Sequence, residues 1–240
     1  MDAAADLDYA LSLADDADAL TMQRYRALDL QIESRADLTP VTEADRATEQ
    51  ALRERIARER GEAVAGEEYG VAESDVRWWL DPIDGTKQYA RGLPIWATLI
   101  ALERDGSIVA GVVSAPALGH RWWATRGGGA FLDGSPIRVS PVAALEDAYV
   151  STTSLRGFPR FAELASLVAV ARTYTDFWQY VLVAEGRIEA ASDTVMNDWD
   201  MMAPRLIVEE AGGRWSIDER LYLATNGLLH ETVRELLLPT

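Results

Sequence analysis

Cysteine is absent from the 240 residues, and histidine occurs only twice, as His120 and His230. Without a thiol there is no thiolate nucleophile, disulfide framework, zinc–thiolate site or iron–sulfur cluster, and the absence suits a reducing compartment. A pair of imidazoles cannot furnish a histidine-rich metal cage. Basic charge is scarce too: 23 Lys and Arg stand against 39 Asp and Glu, a net charge of −16 with an isoelectric point near 4.5. A surface of that sign does not hold nucleic acid, so an anionic substrate needs positive charge from another source. No run nears the roughly 18 apolar residues of a membrane span. The first twenty residues are acidic, with neither a basic leader nor an apolar core. The expectation is a cytoplasmic protein that engages neither membrane nor nucleic acid.

What is present is an ordinary globular composition, 48% hydrophobic and 26% charged, long enough for one large or two small domains. Residues 6–28 read as an amphipathic helix, because Leu7, Ala10, Leu11, Ala14 and Ala17 recur at helical spacing. Leu38, Thr39, Pro40 and Val41 are expected to be extended, since a proline bars its predecessor from the helical region. A second helix is expected over 42–60, its start Thr42-Glu43-Ala44-Asp45 matching a capping box. Beyond Val76, apolar runs over 77–80, 96–102, 108–113, 120–124 and 130–131 are separated by turns at Asp105-Gly106, Gly127-Gly128-Gly129 and Asp133-Gly134. That is the pattern of an antiparallel meander. The glycine triplet lacks the spacing of a nucleotide loop. Past Pro141, strands near 148–152, 172–174, 188–191, 213–217 and Leu223 alternate with helices over 160–170, 177–186 and 201–211. The expected organisation is an α+β half, residues 1–139, and an α/β half, residues 140–240, packed as one unit. Most tryptophans read as core.

Acidic residues gather at several points. Trp78-Trp79-Leu80 leads an apolar strand into Asp81, Pro82 is expected to end it, and Asp84 follows beside Gly85 and Thr86. Such a turn points carboxylates at one spot, and all-oxygen ligands suit hard cations such as Mg²⁺ and Mn²⁺. Gly85 and Thr86 open the next helix, where free N–H groups can hold phosphate. An Asx turn with a helix cap uses the same residues without any ligand. Glu67 ends a strand begun at Ala63, and Asp200, behind Asp198-Trp199, opens the helix that closes at Gly212. Capping alone is a sufficient role for an isolated Asp, and Glu67-Glu68 alone reads as a solvated pair.

Taken in order, Gly66-Glu67-Glu68, the run Asp81-Pro82-Ile83-Asp84-Gly85-Thr86, and Trp199-Asp200 followed by a helix and Glu210-Ala211-Gly212-Gly213 resemble the inositol monophosphatase family of metal-dependent phosphatases. Thr42-Glu43-Ala44-Asp45 resembles that family's upstream motif. The resemblance runs from Asp37 to at least Gly227. Within the family, the blocks 37–45, 79–96, 113–118 and 224–230 are most similar to the actinobacterial-type histidinol-phosphate phosphatases of histidine biosynthesis. Arg35 departs from that branch, where Lys is common; the charge is kept but not the donor geometry.

The resemblance implies a layered αβαβα sandwich and a homodimer. It implies that Glu67, Asp81, Asp84, Asp200 and the Ile83 carbonyl hold up to three Mg²⁺ ions, with Mn²⁺ as a substitute, and these cations would supply the missing positive charge. By the same resemblance, Asp45 and Thr86 orient and deprotonate the attacking water, demoting the capping reading of Asp45. The Gly85 and Thr86 amides would grip a phosphate monoester. Asp176 and Asp193 fall where the family meets the leaving group; a carboxylate there suits the cationic histidinol, although Asp176 could equally cap the helix from Phe177. The alternatives are an inositol-1-monophosphatase, a broader sugar or 3′-nucleotide phosphatase, and a catalytically silent metal- and anion-binding regulatory module.

Overall fold

The computed structural model describes residues 3–35, 39–71, 74–155 and 160–238; Asp37 and Leu38 lie outside them. Helices α1 (Ala3–Arg24) and α2 (Glu43–Glu59) flank a small hairpin, β1 (Ile32–Ser34) and β2 (Pro40–Thr42). Next come β3 (Ala63–Gly66), β4 (Gly70–Val71), β5 (Val76–Asp84) and the short α3 (Thr86–Ala90). The meander follows as β6 (Ala97–Arg104), β7 (Ser107–Ala115), β8 (His120–Thr125), β9 (Gly129–Leu132) and β10 (Ser135–Ile137). The remainder alternates: β11 (Tyr149–Thr152), α4 (Phe161–Ala165), β12 (Val170–Arg172), α5 (Asp176–Ala184), β13 (Ala190–Asp193), α6 (Asp198–Glu210), β14 (Arg214–Asp218), β15 (Leu221–Thr225) and α7 (His230–Leu237).

Strand alternation generates the layers. An eight-stranded sheet runs β10-β9-β8-β7-β6-β5-β3-β4, antiparallel except for the β3–β5 pair. Val64, Trp78, Leu80, Ile100 and Leu102 project to one face and bury Ala10, Leu13, Ala14 and Ala17 of α1 with Leu52 and Ile56 of α2. Their neighbours Ala65, Trp79, Leu99 and Ala101 point oppositely, onto Phe177 and Tyr180 of α5 and Met201 and Leu206 of α6. The same two helices are covered on their far side by a five-stranded sheet, β12-β11-β13-β15-β14, through Ala191 and Ala224. One residue along each strand, Ala190 and Leu223 turn to the opposite face and pack on α4 and α7 through Phe161, Leu164 and Val233. The order of layers is therefore αβαβα, as the resemblance implied. Helix α6 rides close on the larger sheet: a Cβ on Gly111 would lie 3.2 Å from the Ala203 backbone.

Some element boundaries depart from the sequence expectation. Helix α1 stops at Arg24, because Tyr25 turns inward, donates its hydroxyl to the Gly92 carbonyl at 2.7 Å and packs on Tyr89 and Trp96. Helix α4 covers only Phe161–Ala165, since the chain must enter β12 at Val170 in register with Tyr149. Helix α7 was not anticipated; its buried His230, Val233 and Leu237 recur at helical spacing. Pro82 does not end its strand. Pairing resumes beyond it at Asp84 and Ala97, with a bulge between Asp81 and Asp84 that absorbs the residue lacking an N–H.

Candidate active site

That bulge makes the site possible. In a regular strand, residues three apart face opposite sides of the sheet, but the extra residue re-aims Asp84 so that it lines the same cleft as Asp81. Asp81 is 2% exposed and accepts the Ile83 N–H at 2.9 Å. Gly85 then turns at φ 91°, in the left-handed region, with the Ile95 carbonyl 3.0 Å from where a Cβ would sit. Gly85→Ala therefore combines a strained dihedral with a clash, together about 2 kcal/mol or more. A thermal melt should show a Tm lower by roughly 4–8 °C.

Helix α2 has an unusual buried face, Ala44, Asp45, Thr48, Glu49, Leu52 and Ile56, whose apolar end packs under the larger sheet while Asp45 reaches the cleft through Thr86. Asp45 closes a capping box, its Oδ2 accepting the Thr42 N–H at 2.9 Å and the Thr42 hydroxyl at 2.5 Å. Its other oxygen faces the Thr86 hydroxyl at 3.2 Å, and that hydroxyl also lies 3.0 Å from the Ile83 carbonyl. Capping and contact with Thr86 thus coexist in one carboxylate. The turn after β3 adds Glu67 and Glu68, which with Asp45 bring one carboxylate oxygen each within 4.8 Å of one another. Arg35 bridges the pair, 2.9 Å from Glu67 and in direct contact with Glu68.

Helices α5 and α6 supply the opposite wall. Asp200 occupies the first turn of α6 and accepts the Asn197 N–H at 2.8 Å. Asp84 Oδ2 accepts the Phe177 N–H at 2.5 Å, so Asp84 caps α5 from across the cleft and Asp176 does not. Asp176 sits at φ 53°, taking hydrogen bonds from Gln88 at 2.8 Å and from the Thr175 hydroxyl. The cleft encloses about 190 Å³ and is lined by Glu67, Asp81, Ile83, Asp84, Gly85, Thr86, Asp176 and Asp200 among others. Beside it, a cavity of about 370 Å³ shares Asp84, Asp176 and Asp200 and adds Thr153, Tyr180 and Asp193. Asp193 accepts the Thr194 N–H at 2.7 Å. Every site residue expected from the sequence borders one of these two spaces except Asp45, which meets the first through Thr86.

Crowding like charges in a desolvated cleft shifts their titration. Burial, then Glu67, Asp84, Asp200 and Asp45, raises the Asp81 carboxyl well above the usual range. Burial, then Asp176 and Asp200, does the same to Asp84 against the Phe177 hydrogen bond. Glu67 is pushed up to about 8, chiefly by burial, with Arg35 opposing and Glu68, Asp200 and Asp45 adding to the rise. Asp200 is pushed up to about 6 by burial despite the Asn197 hydrogen bonds. Such a set of oxygen donors repels itself unless a cation neutralises it, and Arg35, clamped on two of its members, already does part of that work. The residues present fit a hard divalent ion.

The chain matches the inositol monophosphatase family over residues 3–236. The chain belongs to that family. A histidinol-phosphatase of Mycobacterium tuberculosis is 47% identical over 95% of this chain and 96% of its own. An inositol-1-monophosphatase of Rhizobium meliloti is 34% identical over 79% and 76%, respectively. Among solved structures, the IMPase of Thermotoga maritima superposes with a TM-score of 0.90 at 30% identity, covering 96% of each chain. Within this inositol monophosphatase family member, the sequence reading overlooked Glu49 and Gln88 and gave Glu68 no role beyond its motif. For Glu49 the signal was available: it falls on the apolar stripe with Leu52 and Ile56, where a carboxylate does not belong without a partner.

Proposed function

We propose that this phosphatase hydrolyses L-histidinol phosphate to L-histidinol and phosphate, with Mg²⁺ held by Glu67, Asp81, Asp84, Asp200 and the Ile83 carbonyl. The observation that carries the choice of substrate is the cavity beside the cleft. Among the described residues its lining has no Lys, Arg or His, and beyond the metal-site acids Asp84 and Asp200 it adds Asp176 and Asp193. Such a wall attracts an alcohol bearing an ammonium or imidazolium and gives a neutral polyol no comparable advantage. The relatives named histidinol-phosphatase support the same reading. They also make a step in histidine biosynthesis the natural setting.

When bound, Mg²⁺ supplies Lewis-acid charge for the phosphoryl oxygens and makes water a usable nucleophile near neutral pH. The chain's own part is to orient the reactants and accept a proton. Thr86 can accept a hydrogen bond from the attacking water while passing its own proton toward Asp45 Oδ1. Burial raises the Asp45 carboxyl, against hydrogen bonds from Thr42 and Thr86, which makes it the stronger base. The Gly85 and Thr86 amides, at the start of α3 and on the lining of the cleft, would donate to the phosphate.

Phosphate release from histidinol phosphate, inositol 1-phosphate, fructose 1,6-bisphosphate and 3′-phosphoadenosine 5′-phosphate, with and without Mg²⁺, tests the reading. The expected kcat/KM for histidinol phosphate exceeds that of every other substrate by ~10-fold or more. In Asp193→Asn its KM rises while that for inositol 1-phosphate moves less. Equal or better turnover of inositol 1-phosphate refutes the substrate, and turnover indifferent to chelator refutes the metal.

A further inference from the structure

We propose that Glu49 is a positioning residue that fixes the Glu67–Glu68 arm of the acidic cluster for its cation. This inference rests on the reading of the cleft as a divalent-metal site. Glu49 is 0% exposed and stands one helical turn beyond Asp45 on the same face of α2. Its Oε2 accepts the Glu68 N–H at 2.7 Å and its Oε1 the Tyr69 N–H at 3.2 Å. Arg53, a turn further on, donates Nε to Glu49 Oε1 at 2.7 Å. The same guanidinium donates to the Val64 carbonyl at 3.2 Å and the Gly70 carbonyl at 2.5 Å, so the pair staples both strands around the turn. From the other side, the Glu67 N–H is held by the Leu80 carbonyl at 3.3 Å.

The strand above has made room for this carboxylate. A Cβ on Gly66 would lie 2.3 Å from Glu49 Oε1 and 2.5 Å from its Cδ, so the residue before Glu67 must be glycine for Glu49 to reach the turn. A buried carboxylate is also an expensive way to satisfy a turn in a chain of net charge −16, one helical turn from Asp45 and beside Glu68. A carboxylate offers what no neutral side chain does: acceptor capacity for two backbone donors and a guanidinium at once, with no donor of its own. Gln keeps the shape but turns an NH₂ toward one of those donors. The turn then loses its anchor, and Glu67 and Glu68 lose their fixed distance from Asp45.

Outer residues that orient metal ligands are typically worth ~10–100-fold in metal affinity. Calorimetric titration of Mg²⁺ into the metal-stripped protein is therefore expected to show that Glu49→Gln weakens Kd by ~10–100-fold. The Mg²⁺ concentration for half-maximal phosphate release should rise in parallel, while kcat at saturating Mg²⁺ stays within about threefold of wild type. Glu49→Asp withdraws the oxygens by one methylene but keeps their charge, and is expected to fall between the two. Gly66→Ala leaves Glu49 in place but displaces its carboxylate; it should reproduce the weaker Mg²⁺ binding and carries the test if Glu49→Gln does not fold. A lower Tm with unchanged Mg²⁺ Kd in the folded variants would assign Glu49 to stability alone and overturn the inference. Absence of Mg²⁺ binding in the wild-type protein would instead overturn the metal site itself.

Discussion

Asp81→Asn is expected to lower kcat by ~10³-fold or more while raising, not lowering, the Tm of the metal-free protein. The opposite signs follow from one environment. Asp81 is almost fully buried, accepts the Ile83 N–H and shares a hydrogen bond with Asp200, and Glu67, Asp84, Asp200 and Asp45 all disfavour its charge. Asn keeps an oxygen for Ile83 and nearly the same volume, so packing is preserved. Without a bound cation, neutralising this buried acid relieves repulsion; with the cation required, the same change removes a ligand. Steady-state phosphate release in Mg²⁺ and melting curves in chelator at pH 8 measure the two halves separately. Full turnover in Mg²⁺ would remove Asp81 from the site, and a large fall in the chelated Tm would mean that its role is structural.

Stability of the metal-free protein should fall as pH rises from about 4 to about 8. An acid whose folded value is raised binds its proton more tightly when folded, so its stabilising effect is present below the unfolded value and is lost through the folded one. For Asp200 that window runs from 3.8 to about 6, and for Glu67 from 4.5 to about 8. Asp45, Glu68, Asp81, Asp84, Asp176 and Asp193 are raised as well and act in the same direction. Glu33, Glu59 and Asp218 are lowered by arginine partners, Glu209, against its burial, by Arg205 and Arg126, and His230 by burial; these act oppositely but are outnumbered by the raised acids of the cleft. A tenfold difference in proton affinity between the folded and unfolded chain is worth about 1.4 kcal/mol. A fall in Tm on the order of 5–10 °C across the range is the expected size. Saturating Mg²⁺ should flatten or reverse the trend by binding the ionised cluster. Melts at intervals of pH, in chelator and in Mg²⁺, decide it; a flat chelated profile would mean that the acids are not mutually stressed.

Much of this architecture was legible in the sequence because it depends on local pattern. The neighbours Trp78 and Trp79 announce a strand buried on both faces, and the capping box at Thr42 marks the start of α2. Asp81, Asp84, Glu67 and Asp200 drew notice because carboxylates beside a Pro, a Gly or a helix start are conspicuous, but those residues alone fitted turn, cap or solvated roles, and only the resemblance decided in favour of ligands. What was hidden depends on partners distant in the chain. Nothing near Phe177 says that its N–H is capped by Asp84, because the two are 93 residues apart. Nothing near Tyr25 says that its hydroxyl will leave the helix for Gly92. Pro82 misleads for the opposite reason: its local rule is right about the missing donor, but a bulge satisfies that rule without ending the strand.

The capping of α5 by Asp84 leaves the cavity with unequal walls. On one side, the start of α5 is pinned by a carboxylate the cleft cannot spare and by Gln88, which reaches Asp176 and Thr175 from α3. On the other, Asp193 at the end of β13 leads into a connecting segment, Thr194 to Met196, in which Val195 is 69% exposed. Mutations on the first wall disturb chemistry before they alter recognition; mutations on the second can change shape and charge while the reacting centre stays intact. A lineage, or a protein engineer, moving this scaffold from one phosphate ester to another therefore has its freedom in the four residues that follow Ser192.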